Sequence, residues 1–149
     1  MIFILFAYIM IPTRYLSPLS KSDKIIQKKM ILKSRRLYKK GIYSTRKALP
    51  SYPNKKSSHV ERAKKKFGVT SMVPSAELAK KTGCPLSVLQ KIVQKGEGAY
   101  YSSGSRPNQT PQSWGIARLS SALTGGPAAK VDADLLRHCS RTYGSAPPS

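Results

Sequence analysis

The chain opens on its only continuous apolar run, MIFILFAYIMI, closed by Pro12 ahead of Arg14. As a helix this run would reach about 17 Å, well short of the ~30 Å hydrocarbon core of a bilayer. No cation precedes it and no small-residue cleavage site follows, so a secretory leader is not expected. Three uses stay open for residues 1–11: a plug in a partner protein, a shallow anchor making peripheral membrane contact beside the neighbouring cations, or a segment folded back onto its own domain.

Beyond Pro12 the period becomes helical. In SKSDKIIQKKMILKSRRLYKKG, Ser20 and Asp23 stand at the spacing of a capping box and Gly41 closes the segment, which predicts a helix from about Lys21 to Lys40. Ile26, Met30, Ser34 and Leu37 share one stripe of it, with Lys21, Lys24, Lys28, Arg35 and Lys39 mostly off that stripe. Residues 41–58 hold prolines and tyrosines without a helical period and read as an extended connection. Ser58 and Glu61 then repeat the cap spacing, and HVERAKKKF predicts a second short basic helix ending at Gly68.

From Val69 the pattern changes. Ser75 opens ELAKKTG, TGCP makes a turn, and LSVLQKIVQKG closes on Gly96, so two short helices flank a tight turn. Small Ala79, Gly83 in the turn, and apolar Leu89 and Ile92 occupy the places that a helix-turn-helix uses for close crossing, a left-handed turn and packing back. The second helix then exposes Ser87, Gln90, Lys91, Gln94 and Lys95, which can contact bases and phosphates. A helical hairpin without a nucleic-acid role needs the same small and apolar positions.

Further on, Thr110 and Pro111 make a strong helix start, and TPQSWGIARLSSALTGG predicts a helix ending at Gly125 and Gly126. Trp114 is expected to be a core anchor, with a base-stacking role as the alternative, and Gly115, Ser120 and Ser121 suggest close approach by a neighbouring helix. The preceding YYSSGSRPNQ is too polar and glycine-rich for core and is expected to be a loop bonded to itself, with Arg106 projecting or clamping it. Asp132 caps a final short helix that turns Leu135 and Leu136 inward, and RTYGSAPPS has the composition of a flexible tail.

Charge sharpens this picture. The chain of 149 residues carries a net charge of +21. Up to Gly68 there are 18 Lys and Arg against Asp23 and Glu61, giving +16, and the remainder carries +5. The expected organisation is therefore an apolar segment at 1–12, a basic arm at 13–68, a small helical domain at 69–140 and a tail at 141–149. The expected fold class is mainly α, a small domain with a helix-turn-helix-like pair. An arm this cationic needs phosphates, anionic headgroups or acidic protein surfaces. Its candidate contact residues are Lys28, Lys29, Arg35, Arg36, Lys39 and Lys40 on the first helix, Arg46 and Lys47 in the connection, and Lys64, Lys65 and Lys66 on the second helix. Gln90, Lys91, Gln94, Lys95 and Arg106 complete the set.

Cys84 and Cys139 lack the paired spacing of a zinc or redox site, so two semi-buried thiols in a reducing compartment are expected, with neither metal nor cofactor. Ser102, Ser103, Arg106, Gln112, Arg118, Asp132 and Asp134 could line a pocket, but no histidine or cysteine partners the serines at a recognisable spacing and no glycine-rich phosphate loop follows a strand. The expectation is a protein that is not an enzyme.

The run KGEGAYYSSGSRPNQTPQSWGIARLSSALTGG, with SRRLYKKGIYSTRK and ELAKKTGCP upstream, resembles an uncharacterised domain family encoded by giant DNA viruses, with more distant versions in tailed phages. The resemblance covers roughly residues 14 to 139 and leaves out the N-terminal apolar run. It implies a viral setting, in which a small basic protein works in the particle or on the genome. The resulting expectation is a basic structural component of a large DNA virus particle, minor capsid or core-associated, contacting acidic surfaces of virion proteins or nucleic acid, together with other virion subunits. It would reside in the virion, and in host cytoplasm or a viral factory during assembly. The alternative is a helix-turn-helix protein acting on the viral genome.

Overall fold

The structure, a computed structural model, describes residues 10–53 and 56–143. All regular structure among them is helical: a 3-10 turn at Thr13–Tyr15, then α1 (Lys21–Lys39), α2 (Ser58–Phe67), α3 (Ala76–Thr82), α4 (Leu86–Ser102), α5 (Pro111–Leu123), α6 (Pro127–Val131) and α7 (Ala133–Leu136). The protein is mainly α. The readings of the N-terminal apolar run fall on residues 1–9 and those of the tail on residues 144–149, outside the described residues.

Capping chemistry sets the helix starts. The Oγ atoms of Ser20, Ser57 and Ser75 accept from the N–H groups of Asp23, Val60 and Leu78, satisfying donors that each first turn leaves open. The cap of α2 is thus Ser57, one residue before the Ser58 of the expected spacing. Gly68 and Gly83 end α2 and α3 in the left-handed region, with φ of 63° and 74°.

The described residues fold as two compact units, 10–53 with 98–111 and 56–97 with 112–143. This corrects the expected division into an arm at 13–68 and a domain at 69–140. Helix α1 condenses with YYSSGSRPNQ, and α2 belongs to the second unit. The basic arm was expected to meet its charge with external anions, but polar groups of α1 supply donors that the 98–111 segment needs.

In the first unit the buried residues of α1 are Asp23, Gln27, Ile31, Ser34 and Arg35; of the expected Ile26, Met30, Ser34 and Leu37 stripe only Ser34 is buried. The reason is that this face answers an irregular backbone, whose carbonyls must find donors when buried. Gln27 Nε2 donates to the carbonyls of Tyr15 and Ser105 at 3.2 and 3.3 Å. Ser34 Oγ donates to the Tyr101 carbonyl and Arg35 Nε to that of Ser103. Asn108 Oδ1 accepts from the Leu49 N–H at 2.7 Å while its Nδ2 donates to the Leu49 carbonyl at 3.3 Å. The loop expected to be self-bonded and outside the core is therefore held by residues 59 to 78 positions away in sequence. Tyr100, Ser105 and Pro107 are among its buried members.

The second unit has the more conventional apolar core, with Phe67, Met72, Leu78, Leu89, Ile92, Leu119 and Leu123 among its members. Helix α4 runs on to Ser102 instead of closing at Gly96. Gly96 is a contact and not a cap: a Cβ there would sit 2.5 Å from Gly115 Cα, so the paired glycines let α4 and α5 approach backbone to backbone. Trp114 is half-buried and not the expected core anchor; Leu119, Ala122 and Leu123 fill that role from the same helix. Cys84 and Cys139 form a disulfide, which corrects the reading of two thiols. The Gly83 carbonyl accepts from the Ser140 N–H at 2.7 Å, and this brings the two cysteines together across 55 positions. Tyr143 packs on Phe67 and its hydroxyl donates to the Thr82 carbonyl, so order extends into the expected tail.

Candidate nucleic-acid interface

Seating the Asp23–Gln27–Ile31–Arg35 face inward decides which way the cations of α1 point. Lys21, Lys24, Lys28, Lys29, Lys33, Arg36, Lys39 and Lys40 are all exposed. In the first unit 13 Lys and Arg stand against a single acid, Asp23. That carboxylate is engaged within the fold, where Asp23 Oδ2 accepts from both the N–H and the hydroxyl of Ser51. The outer face of α1 thus carries a field that this unit does not neutralise.

Two of the expected contact residues do other work. Arg35 is only 7% exposed, and its guanidinium donates to the carbonyls of Ser103 at 2.8 Å and Met10 at 3.1 Å. Arg46 donates to Ser34 Oγ, to the Tyr100 carbonyl and to Ser105 Oγ at 2.9–3.0 Å, with its guanidinium carbon 3.8 Å above the Tyr100 ring. Burial lowers the Arg46 pKa from its ordinary value, Tyr100 and Tyr15 oppose that shift, and Arg35 adds to it. Both arginines tie backbone together, because a planar fork of donors suits several carbonyls at once. Lys47 and Arg106 are exposed.

In the second unit, α3, its glycine turn and the first part of α4 form the expected helix pair. Leu78, Leu89 and Ile92 are buried, and Ala79 packs against the same core. Ser87, Gln90, Lys91, Gln94 and Lys95 are all exposed along α4. Lys95 Nζ also lies 3.9 Å from Asp132 Oδ1. Asp132 is not the expected side-chain cap. It is buried and paired in bidentate fashion with Arg118, whose Nε and terminal nitrogen donate to Oδ2 and Oδ1 at 2.9 and 2.7 Å. Asp134 is at the surface beside Arg137, 3.2 Å away. On α2, Lys65 is exposed, Lys64 lies 3.8 Å from Glu61, and Lys66 Nζ donates to the Leu123 carbonyl at 2.9 Å. Lys66 thereby satisfies the end of α5, where a cation also complements the helix dipole.

Sequence reasoning passed over one group in the first unit. The rings of Tyr38 and Tyr101 are parallel to within 6° at 6.0 Å between centroids, and Tyr43 packs at 5.7 Å from Tyr38 and 5.2 Å from Tyr101. Tyr38 and Tyr43 are five positions apart, but Tyr101 lies far from both in the chain. The available signal was the recurrence of tyrosine among cations in LYKKGIYSTRK, together with the Tyr-Tyr pair of the loop.

This is a mainly helical, strongly basic protein whose outward cations outnumber the acids near them. The chain belongs to a family of unknown function, DUF5824, which matches residues 12–137. No curated protein and no solved structure matches it.

Proposed function

We propose that this protein binds nucleic acid without catalysing a reaction, gripping the phosphate backbone through the outer face of α1. The observation that carries the reading is the exposure of seven cations on α1, with Lys40 at its C-cap, while the only acid of that unit is engaged by Ser51. Contacts of this kind go to phosphates and are insensitive to base sequence. The resemblance to giant-virus sequences supports a place in a large DNA virus particle, as a minor capsid or core-associated protein next to the genome. Fluorescence anisotropy with a short DNA duplex tests the reading. Replacing Lys28, Lys29 and Arg36 together by Glu should weaken binding by roughly tenfold or more at ~0.1 M salt. Unchanged affinity would remove α1 as the binding face.

A second reading is favoured by the exposed polar face of α4. If that helix reads base edges, Gln90→Ala or Gln94→Ala should change the preference among DNA sequences by about 1–3 kcal/mol for each base edge no longer read. Lys91→Ala should weaken all sequences alike. A random-sequence selection that enriches nothing would leave the helix pair as scaffold.

A further inference from the structure

We infer that Tyr38, Tyr43 and Tyr101 form a stacking platform for the bases of a single-stranded nucleic acid. The inference rests on the nucleic-acid reading above and names the form of ligand that the first unit takes. Tyr43 is 67% exposed, although it touches both of the other rings, and Tyr38 and Tyr101 keep part of their surface open. A cluster serving only to fill a core would bury such rings, since each can remove a large apolar area from water.

The platform is also held in place from beneath. Tyr100 is 0% exposed and meets Tyr101 edge-on, at 5.2 Å and 89°. Tyr100 is itself clamped: the Arg46 guanidinium covers its ring and the Arg46 N–H donates to its hydroxyl at 2.8 Å. Ser34 Oγ fixes the Tyr101 carbonyl. Rings positioned this way offer their faces without first having to be ordered, which lowers the entropic cost of binding.

Charge selects the ligand. Lys39 and Lys40 follow Tyr38 at the end of α1, Lys47 follows Tyr43 by four residues, and all three are exposed. Open aromatic faces among cations, with no acid other than the engaged Asp23 in the unit, suit a strand that presents bases and phosphates together. Bases in a duplex are stacked on one another and closed to such rings, whereas those of a single strand can turn onto them.

The test uses the full chain, anisotropy at fixed salt, labelled oligo(dT) of about 15 nucleotides and a duplex of equal length. Oligo(dT) should bind more tightly than the duplex. Tyr43→Ala should weaken oligo(dT) binding by roughly five- to a hundredfold, the effect of losing one stacked base, while duplex affinity stays within about twofold. Tyr43→Phe should restore binding, because the ring face and not the hydroxyl makes the contact. Circular dichroism of Tyr43→Ala should match that of the unaltered chain, since the residue is mostly exposed. Equal loss on both ligands, or no loss on either, would overturn the inference. So would Tyr43-dependent capture by phosphatidylserine vesicles without discrimination between the two DNAs, which would make the rings a membrane contact. Failure of the α1 reading shows separately, as duplex binding indifferent to the Lys28, Lys29 and Arg36 replacement.

Discussion

Arg118 and Asp132 show how a residue's chemistry is redirected by its surroundings. Asp132 stands where a helix cap would, yet its carboxylate is buried and takes a two-point ion pair from Arg118 on a different helix. Removing one partner of such a pair leaves an uncompensated buried charge, and Arg118→Ala should cost about 3 kcal/mol or more in a denaturant-unfolding measurement. Lys95, 3.9 Å away, is too exposed to replace it. Loss of less than about 1 kcal/mol would mean that the pair behaves as a surface bridge. Trp114→Ala, by contrast, should fall below the ~3–5 kcal/mol of a fully buried ring, because Trp114 is half-buried. Neither role was legible locally. A helix-start aspartate and a lone tryptophan carry ordinary expectations, and only the packing of α5 against other elements decides otherwise.

At the scale of elements, caps and turns were readable and faces were not. Ser20, Ser75, Gly68 and Gly83 do what their positions predict, because capping depends on neighbours within one turn. The end of α4 escapes such local reading because glycine ordinarily stops a helix, whereas Gly96 is kept for its crossing with Gly115. Two substitutions on this helix therefore have opposite expected signs. Gly96→Ala would place a Cβ 2.5 Å from Gly115 Cα and should destabilise by about 1–3 kcal/mol despite alanine's better helix propensity. Gly98→Ala meets only the Tyr38 hydroxyl, at 3.8 Å, and should stabilise by up to about 1 kcal/mol. Thermal unfolding of the two variants decides the matter, and stabilisation by both would mean that the helices do not cross at this pair. The Cys84–Cys139 bridge closes a loop of 55 positions. Reducing it should lower stability by about 4 kcal/mol on loop-entropy grounds, measured by denaturant unfolding with and without dithiothreitol. An unchanged midpoint would contradict a bridge that restrains the unfolded chain.

The molecule as a whole divides along lines that its charge pattern concealed. Composition separates a basic first half from a milder remainder, but each folded unit draws on both halves, because hydrogen-bond demand at YYSSGSRPNQ recruits α1 from far upstream. The candidate contact set was legible to a similar degree. Lys28, Lys29, Arg36 and the α4 residues face outward, while Arg35 and Arg46 turn inward as donors to backbone, and the tyrosine cluster left only a trace in the sequence. What remains at this scale is the outward, unneutralised charge of α1, on which the proposed binding depends. Its most direct test is the salt dependence of binding to duplex DNA by the full chain. If about six cations neutralise phosphates, log affinity against log salt should fall with a slope of about −5, and replacing Lys28, Lys29 and Arg36 by Glu should flatten it to about half. A slope near zero for the unaltered chain would contradict phosphate binding by α1.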